Sequence, residues 1–193
     1  MGKGRMEAFS DGVIAVIITV MVLELKVPLG GELKDLAPLW PVFLTYILSF
    51  VNVGIYWNNH HHMLQAVRSV NGSILWANLH LLFWLSVMPF ATAWMSEHPL
   101  EKGPVAVYGL MLLMNGVAYS ILARLLIRHE GPDSPLAKAF GEDKKGNVSI
   151  AFYLAGLALS FFVPALSLVL YVIVVLRWLI PDRRIERVLD PKA

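Results

Sequence analysis

The chain has 193 residues, of which 57% are hydrophobic and 16% are charged, and its formal net charge is +2. A water-soluble domain of this size cannot bury so much apolar surface, so the composition predicts a single helical domain, residues 1–193, embedded in the lipid bilayer. The absence of cysteine excludes disulfides and thiol chemistry. Since no long hydrophilic stretch is present, we expect neither a soluble catalytic domain nor a nucleic-acid partner.

Hydropathy predicts an all-α protein with six membrane-spanning helices, because a helix needs about 20 residues to cross the hydrocarbon core. The predicted spans are 6–26, 39–63, 73–96, 104–127, 147–163 and 165–180. The last two spans share one apolar run, which Pro164 divides near its middle. A turn at Pro164 gives two short helices that cross with some thinning of the bilayer.

The distribution of basic residues favours six spans over five. With six spans, 13 of the 16 lysines and arginines lie on the inner side of the membrane, whereas five spans divide them equally. The inner residues are Lys3, Arg5, Arg68, Arg124, Arg128, Lys138, Lys144, Lys145, Arg177, Arg183, Arg184, Arg187 and Lys192, and the outer ones are Lys26, Lys34 and Lys102. The positive-inside rule therefore predicts a multi-pass protein of the cell membrane with both termini in the cytoplasm.

The first predicted helix opens with charged and polar residues. The apolar run between Asp11 and Glu24 is too short to cross the bilayer, so a spanning helix has to begin near Arg5 and carry Ser10 and Asp11 into the membrane. Ionisable groups at that depth are costly and are usually functional or paired. The alternative is that Ser10 or Asp11 caps a shorter helix at the membrane interface.

The predicted topology brings polar residues of the first three helices to the same inner depth. Polar groups in hydrocarbon seek one another, since unsatisfied ones cost several kcal/mol. Arg5 lies about 240° around the helix from Asp11, so the partner of Asp11 is expected on another helix, at Trp57, Asn58, His60 or His61. The expected inner polar network comprises Trp57, Asn58, His60, His61, Asn78 and His80. These groups either hold the helices together or titrate during transport.

Neither a metal site nor an enzyme active site is predicted. The side chains of His60, His61 and His62 point about 100° apart on a helix, so the three cannot close on one ion. Asp11 is the only carboxylate deep in a predicted span, and one carboxylate does not form a general acid–base pair. We therefore expect no cofactor.

An apolar stripe runs along the first helix above the polar motif. Its members, spaced alternately by four and three residues, are Phe9, Val13, Val16, Val20, Leu23 and Val27, and Gly12, Ala15 and Thr19 lie beside it. Such a stripe packs against neighbouring helices. Repeated around a symmetric oligomer, it instead lines a narrow hydrophobic pore. The residues alone leave both interpretations open.

The motif Arg5-Met-Glu-Ala-Phe9-Ser10-Asp11 resembles the RxxxFSD signature of the transmembrane protein 175 family of potassium channels. The resemblance covers the whole chain and includes the sequence YWNNHH at 56–61 and MPF at 88–90. It implies a homotetramer in which helix 1 of each subunit lines a central pore. It also implies that the motif residues stay outside the pore and anchor helix 1 to helices 2 and 3.

The resemblance further assigns roles to the apolar stripe. It puts the principal constriction at Val16, further apolar layers at Val20 and Leu23, and the pore threonine at Thr19. The family often has isoleucine or leucine at the constriction, so the smaller Val16 side chain widens the expected pore.

These expectations combine into a channel permeable to K⁺ and other monovalent cations. The chain lacks the TVGYG carbonyl filter, so only modest selectivity for K⁺ over Na⁺ is expected. The alternative is a proton- or cation-coupled transporter that uses Asp11 and the inner histidines, His60 or His61, as titrating groups.

Overall fold

The computed structural model describes residues 2–141 and 143–179. Within these ranges the regular structure is helical. The α-helices are α1 (Gly4–Leu23), α2 (Trp40–Gln65), α3 (Gly72–Ser86), α4 (Met88–Glu97), α5 (Lys102–Glu130), α6 (Pro135–Phe140), α7 (Lys144–Ser160) and α8 (Pro164–Leu179). A 3-10 helix, Leu33–Leu39, leads directly into α2. The prediction of an all-α fold is confirmed.

The helices are apolar enough for a membrane protein. Four helical segments have the length and composition to cross a bilayer, namely Gly4–Leu23, Leu33–Gln65, Gly72–Glu97 and Lys102–Glu130. The predicted spans 147–163 and 165–180 overlap α7, of 17 residues, and α8, of 16 residues. The turn between them ends at Pro164, whose ring favours the first position of a helix. The number of membrane crossings stays a prediction.

The third predicted span is two helices rather than one. α3 ends at Ser86 and α4 begins at Met88, and Val87 between them makes a tighter turn with its amide bonded to the Trp84 carbonyl. Pro89 explains the break, because its nitrogen has no hydrogen to donate back into α3.

Helix α1 lies at one side of the subunit, where it packs on α2, α3 and α4. Helix α5 contacts α3 and α4 and also packs on α7 and α8. The buried core runs through these contacts and includes Ile14 of α1, Leu81 of α3 and Leu122 of α5. Among residues 2–141 and 143–179, no helix packs on the outward side of α1.

One end of the bundle, here called the motif end, holds the first residues of α1. The Lys3 ammonium bonds to carbonyls at the end of α2, and the Glu130 carboxylate at the end of α5 accepts from the Arg68 amide at 3.0 Å. Lys26 and Glu97 pair at the opposite end. Residues 180–193, which contain basic residues counted in the topology prediction, lie outside the described residues. The cytoplasmic position of both termini stays a prediction.

Candidate functional site

Helix α1 has one buried face and one exposed face. The buried face consists of Met6, Ser10, Ile14, Ile17 and Met21. Their spacing of three and four residues keeps them on one side of a helix. Because α1 begins at Gly4, Ser10 and Asp11 lie inside the helix, and the alternative in which either residue caps a shorter helix is wrong.

The predicted apolar stripe lies on the exposed side of α1. Val16 is 60% exposed in the subunit, Leu23 is 79% exposed, and Val20 and Phe9 are also exposed. The helix ends at Leu23, so Val27 belongs to the following connection rather than to the helical stripe. Apart from Val13, which is half-buried, the helical members of the stripe are therefore available to a neighbouring subunit or to the membrane.

Thr19 lies beside this stripe and is also exposed. Its hydroxyl donates a hydrogen bond of 2.8 Å to the Val16 carbonyl one turn earlier. The hydroxyl hydrogen is thereby used within the helix, and the oxygen lone pairs remain to accept from water or to contact a cation.

A buried chain of hydrogen bonds ties α1 to α2 and α3. The Asn78 amide nitrogen donates to the Ser10 hydroxyl at 2.9 Å, and the Ser10 hydroxyl donates to the Met6 carbonyl at 2.8 Å. His60 Nε2 lies 2.7 Å from the Asn78 carbonyl oxygen. Since that oxygen only accepts, the network assigns the ring hydrogen to Nε2 of His60. Three of the predicted residues thus meet in one buried chain.

A second, more exposed set of contacts joins α1 to α2. The Trp57 indole donates to Asp11 Oδ1 at 3.0 Å and stacks on the His61 ring at 5.9 Å. His61 Nδ1 in turn lies 3.4 Å from the Glu7 carboxylate, which forms an ion pair when His61 is protonated. The partner of Asp11 is therefore on another helix, as expected, and it is the indole.

Two predicted members of the inner network, His80 and Asn58, take no part in these contacts. The His80 ring accepts from the Trp84 indole at 2.9 Å within α3, because the two side chains lie one turn apart on the same helix. Asn58 has no hydrogen-bonding partner in the part of the chain that the structure describes. Neighbouring Asn59 donates to the Ile55 carbonyl at 2.8 Å.

The other two residues of the motif, Arg5 and Phe9, are exposed in the subunit. Arg5 is exposed and forms no hydrogen bond or ion pair with residues 2–141 or 143–179, and Phe9 is 54% exposed. The basic residue that does reach α2 is Lys3, whose ammonium contacts the carbonyls of Leu64 and Gln65, the latter at 3.2 Å. The carbonyls at a helix C-terminus attract cations, and this preference was the signal in the sequence for a contact between a basic residue near the start of α1 and the end of α2.

A further polar contact set lies deeper in the bundle and was not predicted. The Ser49 hydroxyl of α2 lies 3.0 Å from the Tyr108 hydroxyl of α5 and accepts from Thr92 of α4 at 2.8 Å. All three residues are buried. Single hydroxyls inside apolar runs give little signal in the sequence, because serine and threonine are common in membrane helices. Among the described residues, no cluster of three or more His, Asp or Glu side chains is arranged to hold a metal ion.

Comparison with known proteins agrees with this architecture. The family model described as endosomal/lysosomal potassium channel TMEM175 matches residues 5–89. A potassium channel of Chryseobacterium sp. (strain P1-3) is 57% identical over 187 residues, which cover 97% of each chain. The endosomal/lysosomal proton channel TMEM175 of Homo sapiens is 32% identical over 103 residues, which cover 47% of this chain and 20% of the human protein.

A solved structure has the same fold. It is the crystal structure of a lysosomal potassium-selective channel TMEM175 homolog from Chamaesiphon minutus, and it matches with a TM-score of 0.80 and 30% sequence identity. The match covers 93% of this chain and 97% of that chain.

The apolar helical bundle is that of a membrane protein, and the matching relatives and solved structure place it in the ion-channel class. The chain belongs to the TMEM175 family, which confirms the resemblance found in the sequence. The matched relatives are named as potassium or proton channels, and ion channels are not a class of enzymes.

Proposed function

We propose that this chain forms a homotetrameric, potassium-permeable cation channel in which α1 of each subunit lines the central pore. The observation that carries the proposal is the division of α1 into two faces. Val16 and Leu23 are 60% and 79% exposed, whereas Ile14 and Met21 are 1% exposed. An apolar face that the described part of its own subunit leaves uncovered is available to line a pore between subunits.

The residues beside the stripe favour contact between symmetry-related α1 helices. Ala8, Gly12 and Ala15 are exposed and recur at steps of four and three. Small residues let membrane helices approach closely. A Cβ added at Gly12 meets no atom of the same subunit within 4 Å, so this flank has room for a neighbour.

In this proposal Val16 forms the principal constriction, and Val20 and Leu23 form further apolar layers. Stacked apolar rings restrict ions by radius and by dewetting, and they discriminate between K⁺ and Na⁺ only modestly. The Thr19 hydroxyl oxygen contributes a polar ring between two of these layers. Because valine is smaller than isoleucine or leucine, the Val16 ring leaves a wider opening than those side chains would.

The polar motif has a mechanical role in this proposal. Ser10 bonds to Asn78, and Asp11 accepts from Trp57, so these contacts fix the rotation of α1 about its axis. That rotation determines which side chains meet the ion. The motif end then faces the cytoplasm of a cell-membrane protein, in agreement with the basic residues near it.

Ion flux through reconstituted Val16 variants tests the proposal. Val16→Ala and Val16→Asn are expected to raise conductance or relax K⁺/Na⁺ selectivity, because both weaken the apolar ring. Val22→Ala is the matched control, since Val22 is also exposed but lies about 120° around α1 from Val16. If the conductance and selectivity of the Val16 variants equal those of Val22→Ala, Val16 is not the constriction.

Two further measurements separate this proposal from others. Saturable, coupled flux at rates far below channel currents would indicate a carrier that uses Asp11 and His60 or His61. The mass of the purified particle measures the oligomeric state, and any number of copies other than four would overturn the tetramer.

A further inference from the structure

A cavity lies inside the subunit, among α2, α5, α7 and α8, away from α1. Its volume is about 40 Å³. Its lining includes Asn52, Tyr56 and Asn59 of α2, Gly116 of α5 and Tyr153 of α7. Nine of the fourteen lining residues carry an oxygen or a nitrogen in the side chain, although most of the wall surface is apolar.

Asn52 supplies the strongest sign of a bound ligand. Its side chain is 2% exposed and lines the cavity. The amide nitrogen Nδ2 has no hydrogen-bond acceptor within the described ranges. A buried amide donor without an acceptor is strongly unfavourable, and buried polar groups in native proteins are satisfied by protein atoms or by ordered water.

The cavity extends from the motif end toward the middle of the bundle. Asp143 and Gly146 at the start of α7, together with Trp178 near the end of α8, lie at its outer part. Asn59 and Asn52 lie seven residues apart along α2, which corresponds to about 10 Å of helix. Asn52 is near the midpoint of α2, so the polar lining reaches the middle depth of the predicted span.

The size of the cavity fixes the class of ligand. A site needs roughly 10–15 Å³ of such volume for each water molecule, and 40 Å³ therefore holds about three. Sites for drug-sized molecules are about 300–1,000 Å³. The Ser120 and Ser149 hydroxyls and the Asn59 amide already donate to backbone carbonyls. Their oxygens can accept from water, and Asn52 Nδ2 is the buried lining atom that needs an acceptor.

We propose that this cavity is a hydration site within each subunit, filled by about three ordered water molecules. The innermost water accepts a hydrogen bond from Asn52 Nδ2 and bridges to the hydroxyl groups of the lining. The water reaches the middle depth of the bundle from the motif end. Because the cavity lies on the side of α2 away from α1, this water is separate from the proposed ion pore.

Two substitutions change the cavity without a steric clash. Gly116→Ala adds a methyl group that meets its nearest neighbour, the Tyr56 hydroxyl, at an ordinary 3.6 Å, and alanine is preferred over glycine inside a helix. The methyl group occupies space otherwise available to water. Asn52→Leu keeps the approximate shape but removes the donor. Gly54→Ala is the matched control, because a Cβ at Gly54 meets no atom within 4 Å.

X-ray radiolytic labelling of the reconstituted channel tests the proposal, because hydroxyl radicals formed from bound water oxidise adjacent tyrosines. Tyr153 is 4% exposed and lines the cavity, whereas Tyr108 is 0% exposed and does not. We expect several-fold faster labelling of Tyr153 than of Tyr108. Gly116→Ala and Asn52→Leu should each reduce the labelling of Tyr153, while Gly54→Ala should leave it unchanged.

Several results would overturn the hydration site. Labelling of Tyr153 as slow as that of Tyr108 would show that no water is bound there, and so would labelling that Gly116→Ala leaves unchanged. If Asn52→Leu does not fold, Gly116→Ala and its control still decide. Potassium flux is measured on the same samples and should be unaffected by Gly116→Ala, since a parallel loss of flux would refute the separation of this water from the pore.

Discussion

The indole Nε1 of Trp57 donates a hydrogen bond of 3.0 Å to the Asp11 carboxylate. This bond joins α1 to α2 and satisfies the carboxylate that lies deepest in the first helix. A hydrogen bond to a charged group is stronger than one between neutral groups. Because its partner lies on α2, Asp11 faces away from the apolar stripe of α1. The bond stabilises the contact between the two helices.

Removal of the indole donor should weaken this contact. Trp57→Phe keeps an aromatic ring but leaves Asp11 without its donor, so we expect a loss of roughly 1 kcal/mol in the free energy of unfolding, since the contact is partly exposed. Thermal unfolding in detergent measures the change. Trp76→Phe is the control, because Trp76 is 75% exposed. Equal stability of the two variants would refute an anchoring role for the bond.

The buried chain of Ser10, Asn78 and His60 should be more sensitive to substitution. Asn78→Leu removes the donor to Ser10 and the acceptor of His60. Both remaining groups are 0% exposed, so we expect a loss of about 2–3 kcal/mol. The yield of assembled protein and its unfolding temperature measure this loss.

Asn58→Leu provides the comparison for that experiment. It makes the same chemical change on α2, at a side chain without a hydrogen-bonding partner among the residues described. We expect Asn58→Leu to assemble like the unmodified protein. Similar losses for the two variants would mean that polarity alone, rather than the buried chain, stabilises this region.

The Thr19 hydroxyl should influence ion preference through its oxygen. Thr19→Val preserves the shape and removes the oxygen, so we expect the K⁺/Na⁺ permeability ratio to change by roughly fivefold, equivalent to about 1 kcal/mol. Thr19→Ser keeps the oxygen and should behave like the unmodified protein. Reversal potentials under bi-ionic conditions give the ratio. An unchanged ratio in Thr19→Val would exclude contact between this hydroxyl and the ion.

The ion pair between Lys26 and Glu97 should contribute little at neutral pH. The side chains of Lys26 and Glu97 are 66% and 50% exposed, so salt screens their attraction. The hydrogen bond to Glu97, followed by its charge, raises the pKa of Lys26. Any stabilisation by the pair is therefore complete at neutral pH and is lost as the pH rises through the raised pKa.

Thermal unfolding of Lys26→Gln checks this expectation. At pH 7 and physiological salt the variant should unfold at nearly the same temperature as the unmodified protein, and in strongly alkaline solution the small difference should vanish. Lys34→Gln serves as the control. Lys34 pairs at 2.7 Å with Glu32, which is only two residues away in the sequence, so this pair joins no separate helices. A large loss of stability at pH 7 would contradict the weak contribution expected for this pair.

Most of the fold was predictable because hydropathy is a local property. The predicted spans 6–26 and 104–127 overlap α1 (Gly4–Leu23) and α5 (Lys102–Glu130), and the turn before Pro164 follows from the properties of proline. The division between α3 and α4 was not predicted, although Pro89 was its available signal. An apolar run continues through the division, so hydropathy alone does not reveal it.

The candidate site was predictable only in part, since hydrogen bonding depends on the relative rotation of neighbouring helices. The sequence indicated that Asp11 pairs with another helix, but four candidate partners remained. The structure assigns the Trp57 indole to Asp11 and pairs His80 with Trp84 of its own helix. Lys3, rather than Arg5, reaches the end of α2.

The sequence by itself determined that this protein is a helical membrane protein of the TMEM175 family with a polar motif and an apolar stripe on its first helix. These properties follow from composition, periodicity and motif, all of which are read along one segment at a time. Only the tertiary structure decided that Ile14 and Met21 are buried while Val16 and Leu23 are exposed. The physical reason is that α1 beyond Asp11 is mostly apolar on all sides, so its own sequence does not distinguish them, and packing against α2, α3 and α4 selects the face that is left free.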